Sequence, residues 1–450
     1  MNVAVRNTFL VLFVAGLYVL EGTSTFWIFS GSPDSALKML NFALIAAIMA
    51  LGVNLQWGFA GLFNVGVMGF VALGGLATVL VSMPPTEGAM AAGGWRVLLG
   101  LIMGAATIVL TVLLRAKMAP GKGRTLATLA VLVVGFFVFR WVFDGGVAGV
   151  EAINPASTGN IGGLNGFGDD YRDNGWMAIV AWPVGGLFAA GAAWIIGKTA
   201  LGLRSDYLAI ATLGIAEIIL AVIKNEDWLS RGVKNVTALP RPVPYEVELQ
   251  TDPGFIARAA SWGYDPVTAS TVWVKIEYSL IFTVFLVILL VLAQLALSSP
   301  WGRMMRAIRD NETAAEAMGK HVTARHLQIF ILGSAICGIA GAMMVTIDGQ
   351  LTPTSYQPLR FTFLIWVMVI VGGSGNNFGA VLGGFLIWWL WVMVEPLGLW
   401  VAEVTTAGLD PTNWFAIRMA EFGAHMRLLT MGVVMLLVLR FSPRGLMPEK

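Results

Sequence analysis

Long apolar runs alternate with short polar stretches along almost the whole chain. An α-helix needs roughly twenty apolar residues to cross the hydrocarbon core of a bilayer, and about twelve runs approach that length, two of them short enough to be re-entrant. The runs are Thr8–Ile28, Ala36–Gln56, Phe59–Met83, Trp95–Leu114, Leu126–Phe143, Trp176–Ile196, Asp206–Ile223, Val272–Leu297, Leu327–Ile347, Phe361–Gly372, Phe378–Trp400 and Leu428–Phe441. The pattern predicts an all-α fold, namely a polytopic transmembrane helical bundle with about 10–12 membrane segments that include broken or re-entrant helices.

The composition also indicates a membrane protein. Hydrophobic residues make up 57% and charged residues only 12% of the 450 positions, and the mean hydropathy is +0.77. In soluble proteins about a quarter of the residues are charged. The 53 glycines suit close helix packing in lipid, and the 17 tryptophans suit anchoring at the headgroup boundary. Membrane lipid is therefore an expected partner, and nucleic acid is not.

Glycine and asparagine interrupt apolar sequence in two places, near Gly58–Gly66 and near Gly372–Asn377. Irregular backbone at membrane depth is tolerated only against protein or a watery cavity. Broken helices in both halves of a chain are typical of transporters, because their free ends can bind polar groups of a substrate. The candidate substrate-pathway residues are Asn54, Gln56, Asn64, Glu217, Gly372, Gly373, Ser374 and Gly375. Close helix packing and interhelical hydrogen bonds are the alternative interpretation of each of these residues.

A charged, helix-prone segment stands between two long apolar runs, from Pro300 to Leu327. It is too polar for hydrocarbon and is net basic, as cytoplasmic loops tend to be. A cytosolic protein that docks on the segment would explain why a membrane protein keeps it. If the segment is cytoplasmic and every run crosses, both termini are cytoplasmic too, although the distribution of Lys and Arg supports this orientation only weakly.

The sequence offers no recognisable catalytic or metal-binding constellation. His321 and His326 do not have the i, i+4 spacing of a helical metal pair, so no metal is predicted. Gly197–Thr199 resembles the end of a phosphate-binding loop, but the preceding residues form an apolar helix instead of an open backbone cradle. Cys337 lies in an apolar run and is interpreted as a packing residue. The chain is therefore not expected to be an enzyme, to have its own nucleotide site or to carry a cofactor.

Four stretches, in the right order, carry a resemblance to a known family. They are Asn54–Gly75, Leu203–Ile219, Ser299–Val322, and Gly372–Gly384 together with Pro443–Met447. In these stretches the chain resembles the permease subunit of branched-chain amino acid ABC importers, of the LivM type. We expect one transmembrane permease domain over residues 1–450, with an external loop at 225–270 and a cytoplasmic coupling segment at 299–326. Against the family pattern, the chain also carries an inserted helix pair at 84–145.

The resemblance also implies partners and a location. Two ATP-binding cassette subunits would carry the ATP and Mg and receive the 301–319 helix in a surface groove. A second, homologous permease and a periplasmic amino acid-binding protein would complete an importer in the bacterial inner membrane. The residues expected to couple this chain to the ATPase are Arg303, Arg306, Ala307, Ile308, Arg309, Ala314, Ala315, Glu316, Met318 and Gly319. Small apolar side chains would form the docking surface, charged ones would orient it, and Gly319 would end the helix.

The chain departs from the family pattern in two places. Val67 stands where the family commonly has histidine, so no ligand role is assigned there, and Ser230–Asn235 keeps only one glycine of the family's glycine-rich segment. The predicted substrates are leucine, isoleucine or valine. Import of urea or short amides, and ion-coupled secondary transport of small apolar solutes, are the alternatives. A membrane-embedded enzyme would need a polar catalytic constellation that the sequence does not offer.

Overall fold

The computed structural model describes residues 3–83, 88–153, 175–202, 205–230, 232–410 and 413–449. The glycine-rich stretch at 154–174 and the first residues of the predicted inserted pair, 84–87, lie outside these ranges. In chain order the α-helices are α1 Val3–Thr23, α2 Pro33–Ala60, α3 Val67–Ser82, α4 Trp95–Lys117, α5 Lys122–Ile153, α6 Trp176–Ala200, α7 Ser205–Asn225, α8 Asp227–Ser230, α9 Glu246–Thr251, α10 Pro253–Ser261, α11 Pro266–Ser298, α12 Pro300–Asp310, α13 Glu312–Ala317, α14 Val322–Asp348, α15 Pro358–Gly372, α16 Asn377–Thr406 and α17 Trp414–Phe441. The two short strands are β1 Val236–Thr237 and β2 Gln350–Leu351, which pair antiparallel.

Most of the long helices could cross a membrane. Among the described residues, nine helices are long and apolar enough to do so. The two arms of α17, which is bent by 62° between Gly423 and His425, would add a tenth span if they are counted as one. Two further helices, α3 and α15, are apolar but shorter. The predicted all-α, multi-pass bundle of spanning and broken helices is therefore confirmed.

The third predicted run, Phe59–Met83, is not one helix. α2 continues through Phe59 to Ala60, the chain is irregular over 61–66, and α3 begins at Val67. Gly61 ends α2 with a φ of +68°, a left-handed conformation that costs glycine little. Hydropathy could not place this interruption, because apolar residues continue on both sides of it.

The centre of the bundle is α14, which packs against α2, α3 and α6. A Cβ atom on Gly74 of α3 would overlap the carbonyl oxygen of Gly338 on α14, so the two backbones can approach only because side chains are missing there. Trp182 of α6 is fully buried, and its indole nitrogen donates a hydrogen bond to Thr346 Oγ1 at 2.9 Å. These four helices form a close-packed core around which the other elements, including those of the candidate site, are arranged.

Two peripheral segments differ in extent or structure from the sequence interpretation. The predicted inserted pair at 84–145 is a hairpin of α4 and α5 that continues to Ile153, and it meets the rest of the chain where Phe143 packs against Trp228 with ring centroids 5.6 Å apart. The segment at 225–270, expected to be an external loop, contains α8, α9, α10 and the start of α11. Its strand β1 pairs with β2, which ties the segment to the end of α14.

Candidate functional site

Buried amide side chains hold the first helix break in place. Gln56 Nε2 donates to the carbonyl oxygen of Phe330 at 2.9 Å and to Ser334 Oγ at 3.0 Å, both on α14. Asn64 Nδ2 donates to Gln56 Oε1 at 2.9 Å, and Asn64 Oδ1 accepts from the backbone N–H of Gly66. Both amides are almost completely buried. Gln56 and Asn64 were predicted to line a substrate pathway, but their polar atoms are engaged in bonds that fix the break to α14.

Glycine conformations and the C-terminal tail shape the second break. Gly373 and Gly375 have φ values of +120° and +81°, which side chains other than glycine rarely adopt. Asn376 caps α16, because its Oδ1 accepts hydrogen bonds from the first backbone N–H groups of that helix. The backbone N–H groups of Leu446 and Met447 donate to the carbonyl oxygens that end α15, at 2.8 and 2.9 Å. The tail therefore lies against the break and is bonded to the end of α15.

The two breaks touch each other. Asn54 on α2 is fully buried and donates from Nδ2 to Asn377 Oδ1 at 3.0 Å. Its Oδ1 accepts the backbone N–H of Gly375 at 2.9 Å. A Cβ atom on Gly58 would overlap both Asn54 Oδ1 and the backbone nitrogen of Gly375. We call these four residues, Asn54, Gly58, Gly375 and Asn377, the junction. Because the contacts of Asn54 and Gly58 join the last turns of α2 to Gly375 in the second break and to the start of α16, one break cannot move far without the other.

Arg309 connects the charged segment to the junction. Its Nη1 donates to the carbonyl oxygen of Gly58 at 2.5 Å and to Glu449 Oε2 at 2.8 Å, and its Nε pairs with Asp310 at 3.1 Å. Partial burial alone would lower the pKa of Arg309, but the hydrogen bonds and charges of Glu449 and Asp310 outweigh it and the pKa lies above its usual range. A Cβ atom on Gly375 would lie 2.7 Å from Glu449 Oε2, so the ion pair rests directly on the second break.

The charged segment is two helices, not the single helix predicted over 301–319. α12 ends at Asp310, and Asn311, with φ −158° and ψ 96°, starts α13 by accepting the backbone N–H of Ala314 on its side chain. Gly319 follows α13 with a φ of +77°. An asparagine that caps its own helix competes with the continuing helical hydrogen bonds, which explains the break at this position.

Only some of the predicted coupling residues are on the surface of the segment. Ile308 and Ala315 are buried and pack with Met304 and Val322, so they hold α12, α13 and α14 together and cannot form a docking surface. This corrects the sequence interpretation, which could not tell the inner face of two short helices from the outer one. The residues that are exposed are Arg303, Ala307, Ala314, Glu316, Met318 and Gly319.

Arg306 is half-buried and faces a cavity beside the junction. The cavity measures about 670 Å³, and its lining includes Arg306, Glu449, Gln294, Asn376 and Asn377. Polar side chains with both charge signs make it suitable for water and for hydrophilic groups. The structure thus places a cavity with charged and amide groups in its wall where the coupling segment, the tail and the second break meet.

Two predicted pathway residues lie away from the junction contacts. Glu217 is exposed on the outer face of α7, and Ser374 is exposed at the tip of the second break. The exposed position of Glu217 does not support the cavity role assigned to it within the described chain, because its neighbours Ala216 and Leu220, and not its carboxylate, are the buried groups of this part of α7. Conversely, sequence reasoning missed Glu449, whose role depends on folding the last residues back onto the break. Within the described ranges, no group of three or more His, Cys, Asp or Glu side chains is placed to hold a metal ion.

Comparison with known proteins identifies the family of this chain. A family model described as branched-chain amino acid transport system / permease component matches residues 171–439. The chain belongs to this permease family. The match covers α6 to most of α17, and so includes both helices of the charged segment, α14 and the second break. Asn54, Gly58 and Glu449 lie outside the matched region, whereas Gly375 and Asn377 lie inside it. The family match therefore covers only one side of the junction.

The LivM relatives agree with the family model. The high-affinity branched-chain amino acid transport system permease protein LivM of Escherichia coli (strain K12) is 28% identical over 276 residues, which are 59% of this chain and 56% of that relative. A probable LivM permease of Methanocaldococcus jannaschii is 27% identical over 277 residues, 61% and 68% of the two chains. The fructose import permease protein FrcC of Rhizobium meliloti matches only 19% of this chain, at 30% identity. This chain spans a little over half the length of the Escherichia coli relative, and no solved structure matches this chain.

Proposed function

We propose that the chain is a membrane-spanning permease subunit of an ATP-driven importer that moves branched-chain amino acids inward across a bacterial inner membrane. Membership of the permease family and the names of the LivM relatives support this substrate class. The chain would have no nucleotide site of its own. Two ATP-binding cassette subunits would bind ATP and Mg, a second homologous permease would complete the pathway, and a periplasmic binding protein would deliver the amino acid.

The observation that carries the proposal is the link through Arg309. A docked ATPase that displaces α12 would pull on the Gly58 carbonyl at the first break and, through Glu449, on Gly375 at the second. Asn54 would transmit the displacement between the breaks, because it is bonded to both Gly375 and Asn377. A movement of a few ångströms at the cytoplasmic face would therefore reach the helix ends inside the membrane, as expected of a packed two-state element.

The docking surface in this proposal is the exposed face of α12 and α13. Met318 is 79% exposed, and Arg303 and Ala307 on α12 and Ala314 and Glu316 on α13 are exposed too. A protruding methionine among small and charged side chains fits a partner groove with an apolar pocket and a polar rim. With this face and the coupling segment cytoplasmic, the end of α14 and the β1–β2 ladder would lie at the periplasmic side.

Co-purification tests the docking surface. Ala314→Asp combined with Met318→Asp should abolish association with the ATP-binding subunits, because two carboxylates would have to be desolvated in the groove. The matched control is Val247→Asp, at a side chain 70% exposed on α9 near the opposite end of the bundle, which should leave association unchanged. If the double variant binds the ATPase as the wild type does, the docking assignment is wrong.

Transport in proteoliposomes tests the function itself. The complete assembly should accumulate leucine only with ATP and the binding protein, and valine and isoleucine should compete while urea should not. Accumulation by this chain alone under an ion gradient would refute the proposal and establish a secondary transporter.

A further inference from the structure

A second cavity lies inside the bundle, apart from the cavity at the charged segment. It measures about 210 Å³ and is enclosed by α2, α3, α14, α15 and α16. Most of its wall is apolar and includes Met49, Met68 and Met368. Since one water molecule occupies about 30 Å³ of liquid, the cavity has room for about seven waters, which is the size of one small amino acid. Flexible methionines can pack around aliphatic side chains of different shape.

Three residues with polar groups line this apolar space. Asp348, the last residue of α14, is exposed and lines the cavity together with Ser355. No hydrogen bond or ion pair of the Asp348 carboxylate is found within the described residues, and Lys38 acts on it only electrostatically. Trp388 also lines the cavity, and its indole nitrogen is buried and has no hydrogen-bond partner in the described part of the chain. Buried donors without a partner are uncommon and costly, at about 1–3 kcal/mol each, so this one needs an explanation.

The position of the cavity fits a pathway. Asp348 and Ser355 lie at the end of the bundle remote from the charged segment, because α14 starts beside that segment and ends at Asp348. Met368 lies deeper, one helical turn before Gly372 at the second break. Beside it, the indole nitrogen of Trp366 donates to the carbonyl oxygen of Asn64 in the first break at 3.1 Å. The inner end of the cavity at Met368 is therefore one helical turn from the second break, and a neighbouring residue of α15 is bonded to the first break.

We infer that this cavity binds a zwitterionic amino acid with a branched aliphatic side chain on its way through the bundle. Asp348 binds the ammonium group, the Trp388 indole and the Ser355 hydroxyl bind the carboxylate, and the methionines surround the side chain. Phe42 stacks on Trp388 with ring centroids 5.7 Å apart and holds the indole in place. The assignment rests on the proposed import of branched-chain amino acids. Urea does not fit it, because urea has no apolar part to fill the wall.

Binding to the purified full-length chain in nanodiscs tests this site. Tritiated L-leucine should bind, and isocaproate, which lacks only the amino group of leucine, should compete at least about tenfold more weakly. Asp348→Asn should weaken leucine binding about tenfold or more and remove the difference between leucine and isocaproate. Glu403→Gln, at an exposed acid on α16, is the matched control and should bind as the wild type does. Unchanged leucine binding and unchanged discrimination in Asp348→Asn would overturn the site.

A labelling experiment does not depend on loss of binding. Cys337 is 1% exposed, so a maleimide should react selectively with Ser355→Cys in the folded chain. L-leucine should slow this reaction about tenfold at saturation, while isocaproate at the same concentration should not. If leucine leaves the labelling rate unchanged, or if a lipid acyl chain blocks labelling with and without leucine, the cavity is not an amino acid site.

The assembled transporter separates this inference from the proposed function. If the wild-type assembly imports leucine and Asp348→Asn imports it at the same rate and half-saturation, the cavity assignment fails while the function stands. If the wild-type assembly imports no leucine although the chain binds it through Asp348, the site stands and the proposed function fails.

Discussion

Replacing Arg309 by methionine should uncouple ATP hydrolysis from transport without releasing the ATPase. Methionine keeps the unbranched apolar stem of the side chain, so the packing of α12 is largely retained. The substitution removes the hydrogen bond to the carbonyl oxygen of Gly58 and the ion pair with Glu449. Both contacts join the charged segment to the helix breaks.

The size of the effect follows from the two contacts. A hydrogen bond to a charged group contributes about 1.5–3 kcal/mol. The side chains of Arg309 and Glu449 are 24% and 29% exposed, so solvent screening favours the lower value for each contact. The sum is roughly 3 kcal/mol. If the link is present in only one of two states of the transport cycle, it shifts the equilibrium between those two states about 100-fold.

The assay is the amount of leucine imported per ATP hydrolysed by the assembly in proteoliposomes. For Arg309→Met this ratio should fall about tenfold or more while the ATP-binding subunits remain attached. Arg303→Met is the matched control: the side chain is exposed on the same helix, so its loss should weaken ATPase association and leave the ratio unchanged. Glu449→Gln should reproduce part of the loss, and the double variant should be less than additive because the two side chains share one contact.

Two outcomes would refute this reasoning. An unchanged import ratio in Arg309→Met would show that the link carries no coupling. Release of the ATPase by Arg309→Met, with retention in Arg303→Met, would mean that Arg309 turns outward to dock, as the sequence alone suggested.

Three further perturbations test the parts of the fold that surround this link. Asn54→Ala leaves two buried partners without a bond, so it should lower the free energy of unfolding by roughly 1–3 kcal/mol for each and also lower the amount of leucine imported per ATP. Asn41 is equally buried on the same helix, so Asn41→Ala should cost a similar free energy but leave the import ratio unchanged. Gly58→Ala should cost about 1–3 kcal/mol by overpacking the junction. At Gly191 nothing in the described part of the chain lies within 4 Å of the Cβ position, so Gly191→Ala should be neutral or stabilise the helix by up to about 1 kcal/mol. Phe143→Ala should remove about 3–5 kcal/mol of packing from the α4–α5 hairpin and leave import intact.

Thermal unfolding in detergent and import assays check these results. If Asn41→Ala lowers the amount of leucine imported per ATP as much as Asn54→Ala does, the junction contributes no more to coupling than another buried amide. Destabilisation by Gly191→Ala equal to that by Gly58→Ala would contradict the overlap argument. Reduced import in the Phe143 variant would show that the hairpin takes part in transport and is not a peripheral insertion.

The sequence predicted the membrane helices and the two breaks well, because both have direct compositional signals. The run Asp206–Ile223 corresponds closely to α7 at Ser205–Asn225. The glycines and asparagines of 372–377 end one helix and start the next, as positive φ values and an asparagine cap require. Periodicity and local chemistry are sufficient for features of this kind.

Contacts between distant parts of the chain could not be predicted in this way. Arg309 and Glu449 are 140 positions apart, and no local pattern indicates that the tail folds back onto a helix break. The inward orientation of Ile308 and the outward orientation of Glu217 depend on which neighbours pack against α12 and α7. An apolar or charged residue in a helix has the same local sequence signal in either orientation, so only the assembled bundle decides its role.

The shortness of α3 and α15 has a consequence for how the host bilayer affects this protein. At 1.5 Å per residue these helices of 16 and 15 residues are about 24 and 22 Å long, less than the roughly 30 Å of a typical acyl region. Nearly all of α3 and most of α15 are covered by other helices. Lipids with longer or shorter tails should therefore tilt the outer helices, such as α4, α5 and α11, while the short helices beside the breaks keep their geometry.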